Sequence, residues 1–310
     1  MADALHLLIN PRSAYGREER RSRIERLLRT QGYEVTTHVT AAAGDAENHT
    51  AALGPDALVA VVGGDGTIAE AARGAVRSGA VLIPLPGGRG NDLCRYFGIG
   101  LDLERAVQQL PTYAERRIDA GSIDGRVFVG VATIGFDAIA NDFANRSKVR
   151  GKTVYAVSAL RALARWKPMT FTLLVDGEPR TLVGTSVVIG NTGRYGGGMR
   201  ICPRAEVDDG LLDLVTIGKV GRLDFVRTLP KVFTGSHLAH PQVHMEQVRT
   251  VRVEAVEGGR RAHRRRMAIY ADGDRVAAVP VEVSVLPDAV RMLLPVAGRA
   301  DGRAASRAAG

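Results

Sequence analysis

The sequence predicts two domains, a doubly wound α/β domain at the N-terminus and a mostly antiparallel β domain after it. At 310 residues the chain is long enough for two domains of ordinary size. Short apolar runs alternate with helix-like segments up to about residue 118, which indicates a parallel sheet covered on both faces. Beyond that point strand-like runs follow one another between Asp-Gly turns, a pattern typical of antiparallel sheets.

The first domain is predicted to span residues 1–118, and its elements follow from apolar periodicity. Continuous apolar runs predict buried strands, and residues 17–30 predict a helix because Ile24, Leu27 and Leu28 fall on one side. The predicted strands are 5–9, 34–39, 58–62 and 81–85, and the predicted helices are 17–30, 46–53, 68–77 and 103–110. We expect a segment at about 288–297 to return to this domain.

The second domain is predicted to span residues 119–287. Its predicted strands are 126–131, 171–175, 185–189, 211–217, 248–256, 267–271 and 281–286, with helices near 151–165 and 222–233. Asp-Gly turns at 124–125, 176–177, 209–210 and 272–273 separate or interrupt these strands. The Ala/Arg/Gly-rich residues 298–310 are expected to form a disordered tail.

The composition favours an acidic partner, because 42 Lys and Arg against 33 Asp and Glu give a formal net charge of +9. Basic clusters at 146–152, 161–167 and 260–266 favour an anionic lipid surface. Nucleic acid is disfavoured, since no recognition motif or aromatic platform accompanies the charge. No apolar run approaches the ~18 residues of a membrane span, no signal-peptide pattern occurs, and Cys94 and Cys202 form no metal or redox motif. We therefore expect a cytoplasmic protein.

The most informative motif is Gly63-Gly64-Asp65-Gly66-Thr67, which follows a buried strand and opens a helix. Glycine lets the backbone approach a phosphate closely, and the new helix offers unpaired N–H groups and a positive dipole end. A dinucleotide-binding oxidoreductase is disfavoured, because no acidic residue closes the following strand at 81–85. The motif therefore predicts phosphate binding, most naturally from a nucleotide.

A second glycine-rich turn, at residues 86–92, follows the next strand and should lie beside the first at the same sheet edge. It carries Arg89, Asn91 and Asp92, whose side chains can bind a hydroxyl group, a metal or a base. Taken alone, it is also explained as a loop with Asn91 or Asp92 as the N-cap of a following helix. Together the two turns predict a nucleotide cradle.

Four blocks in order along the chain resemble the diacylglycerol kinase catalytic-domain family, in its branch of soluble bacterial lipid kinases. Sphingosine and ceramide kinases are more distant relatives of that branch. The blocks are Asn10-Pro11, the motif at 63–67, the turn at 86–92, and a metal segment at 202–213 with the pattern Pro-x-Ala…Asp-Gly-x-Leu-Asp. The resemblance runs from about residue 5 to residue 296.

The resemblance implies an ATP-dependent kinase with an α/β domain like those of NAD kinases and phosphofructokinases. A β-sandwich domain would follow, with the nucleotide in the cleft between the two. Carried over residue by residue, the nucleotide site would comprise Asn10, Thr40, Gly63, Gly64, Asp65, Gly66, Thr67, Glu70, Arg89, Asn91 and Asp92. Asp65, Asp92 and Asp119 would organise water and Mg²⁺. Asp209, with backbone carbonyls near Glu206 and Leu211, would hold a second, structural Mg²⁺, which prefers oxygen ligands.

The catalytic segment implied by the resemblance is Asp272-Gly273-Asp274, where the family usually has Asp-Gly-Glu. The base that takes the proton of the lipid hydroxyl is therefore Asp272, Asp274, or Asp274 acting through a water molecule. A second departure is Arg89, where many relatives carry Thr or Ser. An arginine there could pair with a phosphate through two hydrogen bonds.

The resemblance implies a kinase that phosphorylates the hydroxyl of diacylglycerol or a related lipid at an anionic membrane surface. Such a protein would be cytoplasmic and peripherally membrane-associated, and relatives make a homodimer an expectation. Two alternatives stay open at this point. One is a kinase of a soluble metabolite, as in NAD kinases, and the other is a catalytically weak, lipid-binding relative.

Overall fold

The computed structural model describes residues 3–136, 168–257 and 267–296, and the predicted tail at 298–310 lies outside these ranges. The chain forms two compact units. The first consists of residues 3–118 together with residues 290–296, and the second consists of the described residues between 119 and 289.

The first unit alternates strands and helices, as the apolar periodicity predicts. Its strands are β1 (Asp3–Ile9), β2 (Tyr33–Val39), β3 (Leu58–Gly63) and β4 (Val81–Pro86). Its helices are α1 (Glu18–Thr30), α2 (Asp45–Ala51), α3 (Asp65–Ser78), α4 (Asp92–Tyr96) and α5 (Leu103–Gln108), followed by a 3-10 helix at Leu110–Thr112.

The sheet of this unit is parallel, in the order β2-β1-β3-β4, and the end of β15 (Val281–Pro295) joins it next to β4. Nearly every residue of β3 and all of β4 are buried, so both faces of the central strands are covered. This confirms the predicted doubly wound α/β architecture. Because the strands are parallel, Asn10, Thr40, Gly63 and Pro86 all lie at one edge of the sheet.

The second unit is antiparallel. Its strands are the second part of β5 (Tyr113–Ile123), which begins in the first unit, then β6 (Arg126–Phe128), β7 (Val131–Gly135), β8 (Met169–Val175), β9 (Glu178–Gly190), β10 (Leu212–Gly218), β11 (Val243–Val248), β12 (Thr250–Glu257), β13 (Ala268–Ala271), β14 (Asp274–Ala278) and the first part of β15. The main strand order is β14-β13-β7-β9-β8-β12-β15, and β10 pairs with both β9 and β11. Helix α6 (Arg222–Thr228) and 3-10 helices at Leu229–Phe233 and Ser236–Ala239 connect β10 to β11.

One predicted strand of this unit is divided in the structure. The run at 126–131 forms the whole of β6 and the first residue of β7, with Val129 and Gly130 between them. The backbone N–H groups of these two residues leave the strand ladder and bind a side chain, as described below. The predicted helix near 151–165 lies outside the described residues.

Candidate functional site

The loops after β1 and β3 are joined by hydrogen bonds at the carboxyl edge of the parallel sheet. The backbone N–H of Asn10 donates to the carbonyl of Val62 at 3.1 Å. The side-chain Nδ2 of Asn10 donates to Oγ1 of Thr67 at 2.9 Å. Thr40, at the end of β2, is buried and donates its backbone N–H to the carbonyl of Ile9 at 2.9 Å. The structure thus brings these predicted nucleotide-site residues to one edge.

The two glycine-rich loops pack backbone against backbone. A Cβ atom on Gly88 would lie 2.3 Å from the Cα of Gly64, and one on Gly87 would lie 2.8 Å from the backbone nitrogen of Gly63. Gly87 also donates its N–H to the carbonyl of Gly63 at 2.9 Å. Glycine is therefore required at position 88 by the close approach of the loops, before any ligand is considered.

Gly66 differs from these glycines, because a Cβ atom there would meet no atom within 4 Å. It lies in the first turn of α3, where glycine costs about 0.5–1 kcal/mol relative to alanine. Packing within the first unit therefore gives no reason for a glycine here. The N-cap residue of α3, Gly64, supplies no side-chain hydrogen bond to the first turn, and an uncapped helix N-terminus attracts an anion.

Two of the predicted ligand-binding side chains brace the loops. The Oδ1 of Asp65 accepts a hydrogen bond from the backbone N–H of Leu93 at 2.9 Å, so Asp65 caps α4 from the neighbouring loop. Asn91 adopts a left-handed conformation, and its side chain bonds both backbone polar groups of Gly88, at 2.8 and 3.0 Å. Asn91 is the N-cap residue of α4, one of the two predicted positions, but its side chain bonds Gly88 and makes no capping hydrogen bond to the helix.

The remaining predicted residues of this loop pair lie around the same edge. Arg89 is exposed, Glu70 is half-buried one turn along α3, and Asp92 is buried at the start of α4. A cation beside an open helix N-terminus is an arrangement that can hold a polyphosphate.

A cluster of carboxylates lies in the second unit around the segment 206–213. Asp119 is buried, and its two carboxylate oxygens accept backbone N–H groups of Gly210 at 2.7 Å and Asp288 at 2.8 Å. Asp209 accepts the N–H of Leu211 at 3.0 Å and the side chain of Gln247 at 2.6 Å. Asp119 therefore fixes the shape of the segment that carries Asp209.

Burial, together with the charges of neighbouring carboxylates, raises the pKa of Asp213 and of Asp209. Burial, and then the charges of Asp209 and Glu206, raise the pKa of Asp213 to about 7. Burial also raises the pKa of Asp209, with further contributions from Asp119 and Glu206. A cation would relieve this repulsion, and the oxygen-only donors suit Mg²⁺ or Ca²⁺. Within the described ranges no three His, Cys, Asp or Glu side chains form a metal-binding group, so main-chain oxygens would have to complete a site here.

The predicted catalytic segment is a two-residue hairpin turn between β13 and β14, with positive φ at Asp272 and Gly273. The carboxylate of Asp272 accepts the backbone N–H groups of Val129 at 3.0 Å and Gly130 at 2.8 Å. Asp274, the first residue of β14, lies opposite Ala271 and is exposed.

Two other Asp-Gly hairpins in this unit are anchored in the same way. Asp124 and Asp176 also have positive φ, and their carboxylates accept backbone N–H groups from other strands. Asp124 binds Glu282 at 3.1 Å, and Asp176 binds Arg249 at 2.9 Å and Thr250 at 2.7 Å. The contacts of Asp272 are thus those of a residue that anchors its turn. Asp274 is exposed, and this anchoring role does not explain it.

Asn191 is a site residue that the sequence-based assignment of roles missed. Its Nδ2 donates to the carbonyls of Asp119 at 2.9 Å and Val129 at 3.0 Å. Its backbone N–H donates to the carbonyl of Gly130 at 2.9 Å. It therefore connects the carboxylate cluster to the loop that holds Asp272. The position of Asn191 along the chain gives no indication of these partners.

The basic clusters at 146–152, 161–167 and 260–266 lie outside the described residues. In the part of the chain that the structure describes, no helix is both long and apolar enough to cross a membrane.

Two family models match the chain. The diacylglycerol kinase catalytic domain matches residues 4–123, and the YegS C-terminal NAD kinase beta sandwich-like domain matches residues 130–294. A diacylglycerol kinase of Mycobacterium tuberculosis is 33% identical over 301 residues, which cover 93% of this chain and 94% of that protein. A Pseudomonas aeruginosa protein named "Probable lipid kinase YegS-like" is 33% identical over 307 residues, which cover 94% of this chain and 95% of that protein.

The fold is also similar to solved structures. A diacylglycerol kinase structure from Bacillus anthracis str. Sterne has a TM-score of 0.72 at 18% sequence identity, and the match covers 94% of this chain and 97% of that one. The two-domain fold, an α/β domain followed by a β-sandwich-like domain, is thereby confirmed.

Proposed function

The chain belongs to the family of diacylglycerol kinases and related lipid kinases, and we propose that it uses ATP and Mg²⁺ to phosphorylate the hydroxyl of diacylglycerol or a closely related lipid. Members of this family are phosphotransferases, and kinases use ATP as the phosphate donor. The observation that carries the proposal for this chain is the packed pair of glycine loops. It leaves the N-terminus of α3 uncapped, with open space at Gly66 and an exposed arginine on the neighbouring loop.

The first unit would hold the triphosphate. Backbone N–H groups in the first turn of α3 would bind phosphate oxygens, and the missing side chain at Gly66 would let them approach. Arg89 would add a positive charge near the transferred group. Phosphoryl transfer depends mainly on positioning and on stabilising the charge of the transition state, so a flexible cation at this edge would serve the reaction directly.

The residues of the second unit fit a structural Mg²⁺. The donors at 206–213 are oxygens, and the raised pKa values of Asp209 and Asp213 come first from burial and then from neighbouring carboxylates, whose repulsion a cation would relieve. Asp209 and main-chain oxygens near Glu206 and Leu211 would hold the ion. Mg²⁺ bound with ATP supplies positive charge to the phosphates during transfer.

We assign the general base to Asp274 and a positioning role to Asp272. Asp272 has both carboxylate oxygens engaged by backbone N–H groups, whereas Asp274 is exposed two residues further along the same hairpin. By fixing the turn on Val129 and Gly130, Asp272 would hold Asp274 where it can accept the proton of a lipid hydroxyl.

The test is transfer of labelled γ-phosphate from ATP to diacylglycerol in mixed detergent micelles. We expect a labelled lipid product with the unaltered chain, and a loss of about 100-fold or more in kcat for Asp274→Asn. Asp274→Glu, which restores the side chain usual in the family, should stay active. Glu178→Gln, at a surface carboxylate that is 75% exposed, is the matched control and should behave like the unaltered chain.

Two results would contradict the proposal. One is the lack of any phosphorylated glycerolipid or sphingolipid under conditions where ATP binds. The other is ATP consumption with NAD or a sugar phosphate as acceptor and none with lipid.

A further inference from the structure

The connection between β10 and β11 presents a face that is both apolar and basic. Of the six exposed large apolar side chains in the described ranges, three lie between residues 223 and 233. They are Leu223, Phe233 and Val226, which are 76%, 51% and 45% exposed. We call this surface the α6 face. It consists of these three side chains with Arg222, Arg227 and Lys231.

The inner side of α6 is anchored, so its outer side is free to contact another surface. Phe225 packs against Phe136, with ring centroids 4.7 Å apart in an edge-to-face arrangement. Leu223 and Arg227 are four residues apart and therefore adjacent on the same side of the helix. No residue of α6 is buried. Three exposed large apolar side chains within eleven residues make this segment a candidate surface for interaction.

The charges of the face indicate what covers it. Arg222, Arg227 and Lys231 are exposed in the same segment as the apolar side chains, and the exposed Lys219 lies three residues before Arg222. The acidic residue of the same stretch, Asp224, is engaged by His240, whose Nε2 lies 2.9 Å from its carboxylate. A second copy of this face would bring like charges together. A leaflet of anionic phospholipid offers an apolar layer below a negatively charged one, which matches both components of the face.

We propose that the α6 face docks the protein on an anionic phospholipid leaflet. Leu223, Val226 and Phe233 enter the interfacial layer, while Arg222, Arg227 and Lys231 remain at the level of the headgroups. This inference rests on the proposed function, since a kinase with a lipid acceptor has to reach its substrate at a membrane surface. It assigns that contact to a segment separate from the basic clusters recognised in the sequence.

Vesicle flotation of the full chain tests the proposal. The probes are vesicles of phosphatidylcholine alone and of phosphatidylcholine with an equal amount of phosphatidylglycerol. Arg222→Gln with Arg227→Gln should weaken binding to the anionic vesicles about 25-fold, at about fivefold per cation. The matched control is Arg26→Gln with Arg126→Gln, two exposed cations elsewhere, which should leave binding unchanged.

The apolar part of the face is tested separately. Leu223→Gln with Phe233→Gln should weaken binding to the anionic vesicles on the order of tenfold or more. Leu101→Gln with Val183→Gln removes comparably exposed apolar side chains elsewhere, 43% and 53% exposed, and should have no effect. Circular dichroism and thermal melting should be the same for all variants, because every altered side chain is exposed.

Phosphorylation of a dispersed short-chain diacylglycerol separates docking from catalysis. The face variants should keep the kcat/KM of the unaltered chain in this assay, since the substrate is reached without a membrane. If the unaltered chain phosphorylates no lipid, the proposed function fails, and flotation still decides the role of the face. Equal flotation of the α6-face variants and their controls would overturn the inference. So would conversion of a dimer to a monomer by Leu223→Gln with Phe233→Gln at unchanged vesicle binding.

Discussion

Asp272→Asn should destabilise the second unit, while Asp274→Asn should not. Asp272 accepts two backbone N–H groups at 3.0 and 2.8 Å, and hydrogen bonds to a charged group contribute about 1.5–3 kcal/mol each. The asparagine amide keeps one acceptor oxygen and turns an NH₂ group toward the other N–H donor. We therefore expect a loss of about 2–4 kcal/mol in the free energy of unfolding. Asp274 is exposed, so its substitution should change stability by less than about 0.5 kcal/mol.

Urea unfolding followed by circular dichroism measures both values, and kcat for lipid phosphorylation is measured on the same preparations. Asp176→Asn is the structural control, because Asp176 anchors another Asp-Gly hairpin through backbone N–H groups. It should reduce stability by less than Asp272→Asn does, because its N–H donors share one oxygen that asparagine retains, and it should leave kcat close to that of the unaltered chain. The reasoning would be refuted if Asp272→Asn were as stable as the unaltered chain. It would equally be refuted if Asp274→Asn retained full activity.

Three further predictions concern the glycine loops, acid stability and the metal segment. Gly88→Ala should unfold at lower urea concentration, because its Cβ would clash with Gly64 at 2.3 Å. Gly66→Ala should instead raise stability by about 0.5–1 kcal/mol while weakening ATP binding, as calorimetry would show. Burial, and then neighbouring histidines, lower the pKa of His49. The contribution of neutral His49 to the free energy of unfolding is therefore fully present above the ordinary histidine pKa, and it is lost as the pH falls through the lowered value. His49→Gln should remove up to about 1.4 kcal/mol per pH unit of this dependence in urea titrations between pH 7 and pH 5. Mg²⁺ at ten times its Kd should stabilise the chain by about 1.4 kcal/mol in thermal melts, and Asp209→Asn should lose that effect.

The α/β domain could be predicted almost completely from local patterns. Continuous apolar runs ending in glycine or proline predicted β3 and β4, and the observed strands extend those runs by one residue each. A parallel sheet then places every strand end at one edge, so the proximity of the two glycine loops also followed from the sequence. These features depend on residues that are close together along the chain.

The antiparallel half was predicted less completely, because its pairing depends on distant residues. The β5 strand was missed where Glu115, Arg116 and Arg117 interrupt its apolar pattern, and β14 was missed because it begins with Asp274 and Arg275. The run at 126–131 was predicted as one strand. It divides because the N–H groups of residues 129 and 130 bind a carboxylate that is more than 140 positions away.

The roles of individual carboxylates depended most on the structure. Local spacing could not show that Asp65 caps a helix that begins 27 residues later, at Asp92. The sequence left the choice between Asp272 and Asp274 open, because only the tertiary partners of Asp272 distinguish an anchoring carboxylate from an accessible one. Motifs therefore located the candidate site, and hydrogen bonds between distant segments distinguished the roles of its residues.

The central claim is that this chain phosphorylates a lipid hydroxyl. The most direct measurement is the mass spectrum of a bacterial lipid extract incubated with ATP, Mg²⁺ and the unaltered chain, compared with the same extract treated with Asp274→Asn. We predict that one class of lipid, diacylglycerol or a close relative, gains a single phosphate with the unaltered chain and gains none with the variant. An extract that contains no new phosphorylated lipid, from a preparation that binds ATP, would contradict the account.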